Sequence, residues 1–222
     1  MDFKPTLTFF ENLQKKNNKD WFDANRSDYE KVKSNWLDFV KGVITEVGKF
    51  EPAVLSLEPK DCVYRINRDV RFSKDKTPYK TNISAVISPG GKKSSSAGYY
   101  MQISPGGKSM VAGGMWQPEN DKLHMIRQEI EYHPDKFKEI VENKSFISTF
   151  GKLDDEDMLA STPKGFDKNS PMSTYLRHKS YLVFKEFSDE DVLKGVFEKE
   201  VVKLFHAMLP LNQFLNRATE QI

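Results

Sequence analysis

Residues 65–81 read RINRDVRFSKDKTPYKT, three arginines and three lysines with Asp69 and Asp75 as the only carboxylates. If the chain is extended here, Cys62, Tyr64, Ile66, Arg68, Val70 and Phe72 share one face, and Val63, Arg65, Asn67, Asp69 and Arg71 share the other. The first face belongs to a core. The second presents Arg65 and Arg71, whose guanidinium forks can hold a phosphate or carboxylate bidentately. Thr77-Pro78 fixes a turn from which Lys76 and Lys80 can close over the same anion, with Lys74 beside them. Arg68 falls among apolar neighbours, so it is expected to be mostly buried and bonded to Asp61, Asp69 or Asp75. The competing reading is an ion-pair network that pins the strand to the turn and binds nothing. Against it stands the imbalance of charge, because structural pairs need equal numbers of each sign.

That imbalance is local. Residues 65–93 carry eight basic and two acidic side chains, +6 in a chain whose total is +2, which leaves about −4 for the remainder. A confined basic patch on a nearly neutral protein points to a localised anionic partner more than to a uniformly basic surface.

Other side chains offer weaker chemistry. Tyr99, Tyr100 and Trp116 could pack against the body of a ligand held by Arg65, Arg71, Lys76 and Lys80. His178, inside Arg177-His178-Lys179, is the candidate acid or base, since neighbouring cations favour a neutral imidazole. Asp69 and Asp75 are candidate bases, with salt-bridge duty the stronger reading. Residues 90–96, GGKKSSS, suit either a phosphate-binding flap or an ordinary hairpin tip. Gly107-Lys108-Ser109 imitates the end of a phosphate loop, but Gln102 stands at the leading glycine position and strands flank it where a helix must follow. His124, His133, His178 and His206 lack metal-ligand spacing, so neither a metal nor a cofactor is expected. Cys62, the sole cysteine, reads as a buried thiol, and no serine sits in a nucleophile elbow.

The elements that position these residues follow from periodicity. Residues 7–50 repeat apolar side chains at helical spacing and predict two helices, with Asp20 able to cap the second. From 62 to 115 the period becomes two. Strands are expected at Cys62–Asp69, Asn82–Ser88, Gly98–Ser104 and Ser109–Met115, punctuated by two Pro-Gly-Gly turns. Helices return at Pro118–Tyr132 and Pro134–Val141, then a short segment at Met172–His178 and a strand at Ser180–Phe187. Ser188 caps a C-terminal helical region that is expected to break or kink at Pro210. The whole is an α+β fold, one compact domain of 222 residues with an antiparallel sheet of four or five strands between N- and C-terminal helices. No apolar run reaches a membrane span and the N-terminus lacks a secretory pattern, which predicts a cytoplasmic protein without membrane contact.

YRINRDVRFSKDKTPYKTNISAVIS resembles the signature of a mainly bacterial family of conserved hypothetical proteins, DUF2461. The likeness extends to Asn18-Lys-Asp20-Trp-Phe22, Gly98-Tyr-Tyr100, Gly113-Gly-Met-Trp116, Pro163-Lys-Gly-Phe-Asp167 and Leu176-Arg-His-Lys-Ser180, and so covers nearly the whole chain. The resemblance implies an α+β domain and no particular reaction.

Three functions remain open. The first is a small anionic ligand in a basic pocket, with or without turnover. The second is nucleic-acid binding, in which the same cations follow phosphates and tyrosines stack on bases, although no RRM, KH or zinc-finger signature is present. The third is a protein-interaction domain with a structural Arg/Asp network. A cleft around Arg65 and Arg71 favours the ligand, and a convex stripe favours the polymer.

Overall fold

The computed structural model describes residues 1–220. It opens with three helices, α1 Lys4–Lys15, α2 Lys19–Ala24 and α3 Arg26–Val47, where periodicity alone suggested two. The extra boundary is made by Asn18, whose side chain accepts from the Trp21 amide at 2.9 Å; Asp20, the expected cap, lies inside the first turn of α2. The one-turn helix α4 Pro59–Cys62 precedes strands β1 Ile83–Ile87, β2 Gly98–Ile103 and β3 Ser109–Met115. Helices α5 Asn120–Tyr132, α6 Pro134–Val141, α7 Lys144–Phe150 and α8 Ser173–Leu176 follow, then β4 Tyr181–Phe187, α9 Asp189–Leu193 and α10 Phe197–Thr219. The strands form an antiparallel sheet in the order β1-β2-β3-β4, with helices at both ends of the chain: an α+β fold. No helix among the described residues is long and apolar enough to cross a membrane.

Two expectations need correction. Cys62–Asp69 is not a ladder strand, because Pro59 starts α4 and carries Cys62 in its last turn. Beyond it the chain pairs only through isolated antiparallel bridges, Val63 with Ala85 and Asn67 with Tyr79. Pro210 does not break the C-terminal helix, and α10 continues through it. An interior proline costs about 3 kcal/mol. Leu211, Phe214 and Leu215 beyond it are buried, and each such side chain contributes roughly 1.5–3 kcal/mol, enough to offset the loss.

The chain divides into two compact units. The first comprises residues Met1–Ser94, Tyr100–Val111 and Glu186–His206. Its core is aromatic: Phe3 meets Phe39 and Phe197 edge-on at 5.0 and 5.4 Å, and Trp36 stacks on Phe39 at 5.3 Å. Such pairs add to what burial alone contributes. The turn at Gly106-Gly107 is held by Asp189, which accepts both amides at 2.8 and 2.9 Å. Trp36 Nε1 is buried and has no acceptor among the described residues. Trp36→Phe removes that orphan donor and keeps most of the ring, so denaturant unfolding should show a loss below about 1.5 kcal/mol. Phe39→Ala, which empties the neighbouring site, should cost about 3–5 kcal/mol. Equal losses would mean that the indole nitrogen is satisfied.

The second unit comprises Ser95–Tyr99, Ala112–Lys185 and the part of α10 from Ala207 onward. Phe137 of α6 packs against Tyr175, Tyr181 and Phe214 with centroids 5.1–6.2 Å apart. Within α10, Asn216 accepts the Ala97 amide at 2.7 Å and donates to the Ala97 carbonyl at 3.3 Å, and Asn212 donates to the Gly98 carbonyl at 3.1 Å. Gly114 in β3 has φ +124°, and a Cβ there would lie 1.9 Å from the Tyr181 carbonyl oxygen.

Candidate anion-binding site

Residues 66–68 and 78–80 form a short antiparallel ribbon in the first unit. The Arg68 amide donates to the Pro78 carbonyl at 2.9 Å and the Lys80 amide to the Ile66 carbonyl at 2.8 Å. Asn17 fixes the ribbon to the turn after α1, donating to the Tyr79 carbonyl at 2.8 Å and accepting its amide at 3.2 Å. The Tyr79 ring stacks on Phe22 at 4.1 Å. The ribbon is therefore positioned on both its backbone and its side chains.

Arg68 closes the loop that the ribbon carries. Its guanidinium donates to Asp75 at 2.5 Å, to the Thr77 carbonyl at 3.1 Å, and to the Thr77 hydroxyl. The side chain is 25 % exposed, and its carboxylate partner is Asp75 among the three candidates. Asp75 also accepts the Thr77 amide and hydroxyl, and these bonds, the amide first, hold its pKa below the usual carboxylate range.

The structure separates the four cations expected to share a ligand. Arg71 forms a two-pronged pair with Asp69, at 2.9 and 2.6 Å, which lowers the Asp69 pKa and raises that of Arg71. Lys76 donates to the Val70 carbonyl at 2.8 Å. Both thus hold their own loop. Arg65 and Lys80 have no carboxylate within salt-bridge distance among the described residues, the two nearby aspartates being bonded to Arg71 and Arg68. The Lys80 ammonium lies 5.1 Å from the centre of the Tyr64 ring. Burial first, and the Arg65 charge second, lower its pKa.

Arg65 borders a cleft of about 260 Å³. Arg26, Tyr29, Glu30 and Lys33 of α3 line it as well, as do Phe22 of α2 and Ile66, Asn67 and Tyr79 of the ribbon. Lys33 sits 3.6 Å from Glu30, and Arg26 pairs with Asp23 at 2.5 Å while lying over the Phe22 ring. Sequence reasoning assigned Arg26 and Lys33 no role. The signal was present, because spacings of three and four put Arg26, Tyr29, Glu30 and Lys33 along one helix face.

The other candidates lie as follows. Tyr99 is fully buried, so its ring belongs to the core. Tyr100 is half-buried, donates to Gln102 at 2.8 Å, and has its pKa pushed up by burial. Trp116 is 70 % exposed at the end of β3 in the second unit, followed by Gln117 with a positive φ of 42°. His178 is 4 % exposed, with Nδ1 2.9 Å from the Asp154 carbonyl. Its pKa is lowered mainly by burial, while Arg177, one of the cations expected to dominate, contributes least. Cys62 is buried and its thiol is pushed up to about 11, chiefly by burial. Residues 90–94 are anchored to α4, with Lys92 donating to the Lys60 carbonyl at 2.5 Å.

Residues 5–214 match the model of a family described as conserved hypothetical protein (DUF2461). No curated protein and no solved structure matches the chain.

Proposed function

We propose that this chain, which belongs to the DUF2461 family of conserved hypothetical proteins, binds a small phosphate- or carboxylate-bearing ligand at Arg65. One observation carries this reading: Arg65 has no carboxylate partner among the described residues and lines a cleft that Arg26 and Lys33 also line. Arg26 and Lys33 are paired with Asp23 and Glu30, which leaves Arg65 as the lining cation with no carboxylate partner among the described residues. A cleft of about 260 Å³ lies just below the usual range for drug-sized ligands, which suits a compact metabolite headgroup. Tyr29 and Tyr79 supply the apolar part of the wall, and the anchored ribbon holds Arg65 at low entropic cost.

Calorimetric titration with phosphorylated and carboxylated metabolites tests this. Arg65→Ala should weaken binding about ten- to a hundred-fold, the loss of a charge-assisted contact contributing about 1.5–3 kcal/mol. Arg71→Ala should leave affinity within about two-fold, because Arg71 is bonded to Asp69 and not aimed at the cleft wall. If both substitutions weaken binding alike, the ligand contacts the loop and the cleft assignment is wrong.

A second reading has its own support. Phe72 is 96 % exposed beside Arg71, whose guanidinium lies 5.9 Å from its ring centre, and an exposed aromatic flanked by cations suits base stacking. Binding of short single-stranded oligonucleotides with steep salt dependence, lost in Phe72→Ala and retained in Arg65→Ala, would favour it.

A further inference from the structure

Lys80 stands apart from the other lysines of the basic segment and its surroundings. Lys76 donates to the Val70 carbonyl and Lys92 to the Lys60 carbonyl, so these two amines have structural tasks, while Lys74 and Lys93 are exposed. The Lys80 amine has no hydrogen bond and no carboxylate among the described residues, yet it is half-buried and held over the Tyr64 ring. Its backbone is fixed, through the bond to the Ile66 carbonyl, one residue beyond the Tyr79 that lines the cleft. The Tyr64 amide donates to the carbonyl of buried Ser84, and Ser84 and Tyr64 are both near enough to act on the Tyr100 phenol. Arg65 is close enough for its charge to act on the amine.

We infer that Lys80 captures carbonyl compounds: a small aldehyde or ketone carrying a carboxylate or phosphate is anchored by Arg65 and forms an imine with the Lys80 amine. This rests on the reading of Arg65 as an anion anchor. The nitrogen lone pair attacks the carbonyl carbon, the C–N bond forms, and the carbonyl π pair passes to oxygen, which takes up the first of the two amine protons. The resulting carbinolamine expels that oxygen as water while nitrogen gives up its proton, so amine and carbonyl become imine and water with no change of oxidation state. The arrangement favours the attacking form. A desolvated amine beside another cation is less costly to keep neutral, the same two causes that lower the Lys80 pKa. Tyr64 adds no negative charge beside the amine, since burial keeps its phenol protonated, while its ring face attracts the ammonium form.

The test uses the full chain with glyoxylate and pyridoxal 5′-phosphate as probes, reduction by borohydride, and peptide mapping by mass spectrometry. Lys80 should be labelled first among the lysines, at least ten-fold faster than Lys74 or Lys93, and inorganic phosphate should slow it. Arg65→Ala should slow the labelling of Lys80 about ten-fold with the phosphorylated probe and leave labelling by unphosphorylated pyridoxal unchanged. Lys80→Met, which keeps an unbranched stem against Tyr64, should abolish the fast adduct and still bind pyridoxine 5′-phosphate, an alcohol that cannot form an imine. If pyridoxine 5′-phosphate binds through Arg65 but Lys80 reacts no faster than surface lysines, the anion site stands and imine formation is refuted. If it does not bind, and pyridoxal labels Lys80 as fast as its phosphate does, the anchoring role of Arg65 is refuted and with it the proposed substrate class.

Discussion

Gly114→Ala should destabilise the protein more than any other single methyl group considered, with a loss beyond about 4 kcal/mol in denaturant unfolding. The φ of +124° alone disfavours an L side chain by roughly 1–3 kcal/mol. The added Cβ would also sit 1.9 Å from the Tyr181 carbonyl oxygen and 3.0 Å from the Leu182 Cα. Those neighbours are backbone atoms of β4, so no rotamer change relieves the overlap and the β3–β4 pairing must open. Gly165→Ala provides the control in the same unit: its φ is +95°, but nothing lies within 4 Å of the new methyl. It should therefore lose only the backbone contribution. A Gly114→Ala variant within about 1 kcal/mol of wild type would show that β3 and β4 are not held this closely.

The asparagines of α10 should give the next largest effect, and an asymmetric one. Asn216 serves both the amide and the carbonyl of Ala97, and all of these groups are buried. Asn216→Leu leaves two backbone groups without partners, each at about 1–3 kcal/mol, so a loss of about 2–5 kcal/mol is expected. Among the described residues the Asn212 side chain bonds to the Gly98 carbonyl, while its own Oδ1 is buried without a partner. Asn212→Leu strands one carbonyl but removes that orphan acceptor, and its cost should be at most half as large. Urea denaturation of the two variants decides it, and equal losses would contradict the clamp at Ala97.

The strands between 83 and 115 were legible because their pattern is strict. Tyr99, Met101 and Ile103 are buried while Tyr100 and Gln102 are half-exposed, and Pro-Gly-Gly turns mark the ends. The segment 62–72 imitates that pattern without being a strand. Cys62 and Ile66 do face inward and Arg65 and Arg71 outward, but the alternation fails at Phe72, which is 96 % exposed. What sets its path is in part long-range: Asn17 on the Tyr79 backbone, which no local period can reveal, acts together with the Arg68–Asp75 pair, which the sequence narrowed to three carboxylates. Helix α7 was missed for the opposite reason, being a short run with little amphipathic signal that is nucleated by Asn143, which accepts the Phe146 amide at 2.8 Å. At the candidate site the residue types were legible and their bonds were not. Arg65 and Arg71 look equivalent in the sequence, and only the Asp69 contact tells them apart.

The way the chain is shared between its two units has a consequence for its birth on the ribosome. The first unit is not complete when residue 111 emerges, because Glu186–His206 belongs to it and is made only after most of the second unit. The second unit in turn waits for the last stretch of α10. At roughly 5–20 residues per second, the aromatic surface around Phe3 and Phe39 must spend about 8–32 seconds without Phe197, its partner at 5.4 and 6.1 Å. Neither unit can be excised as a continuous fragment, and a nascent chain stalled before Phe197 should recruit chaperones that the released protein does not need.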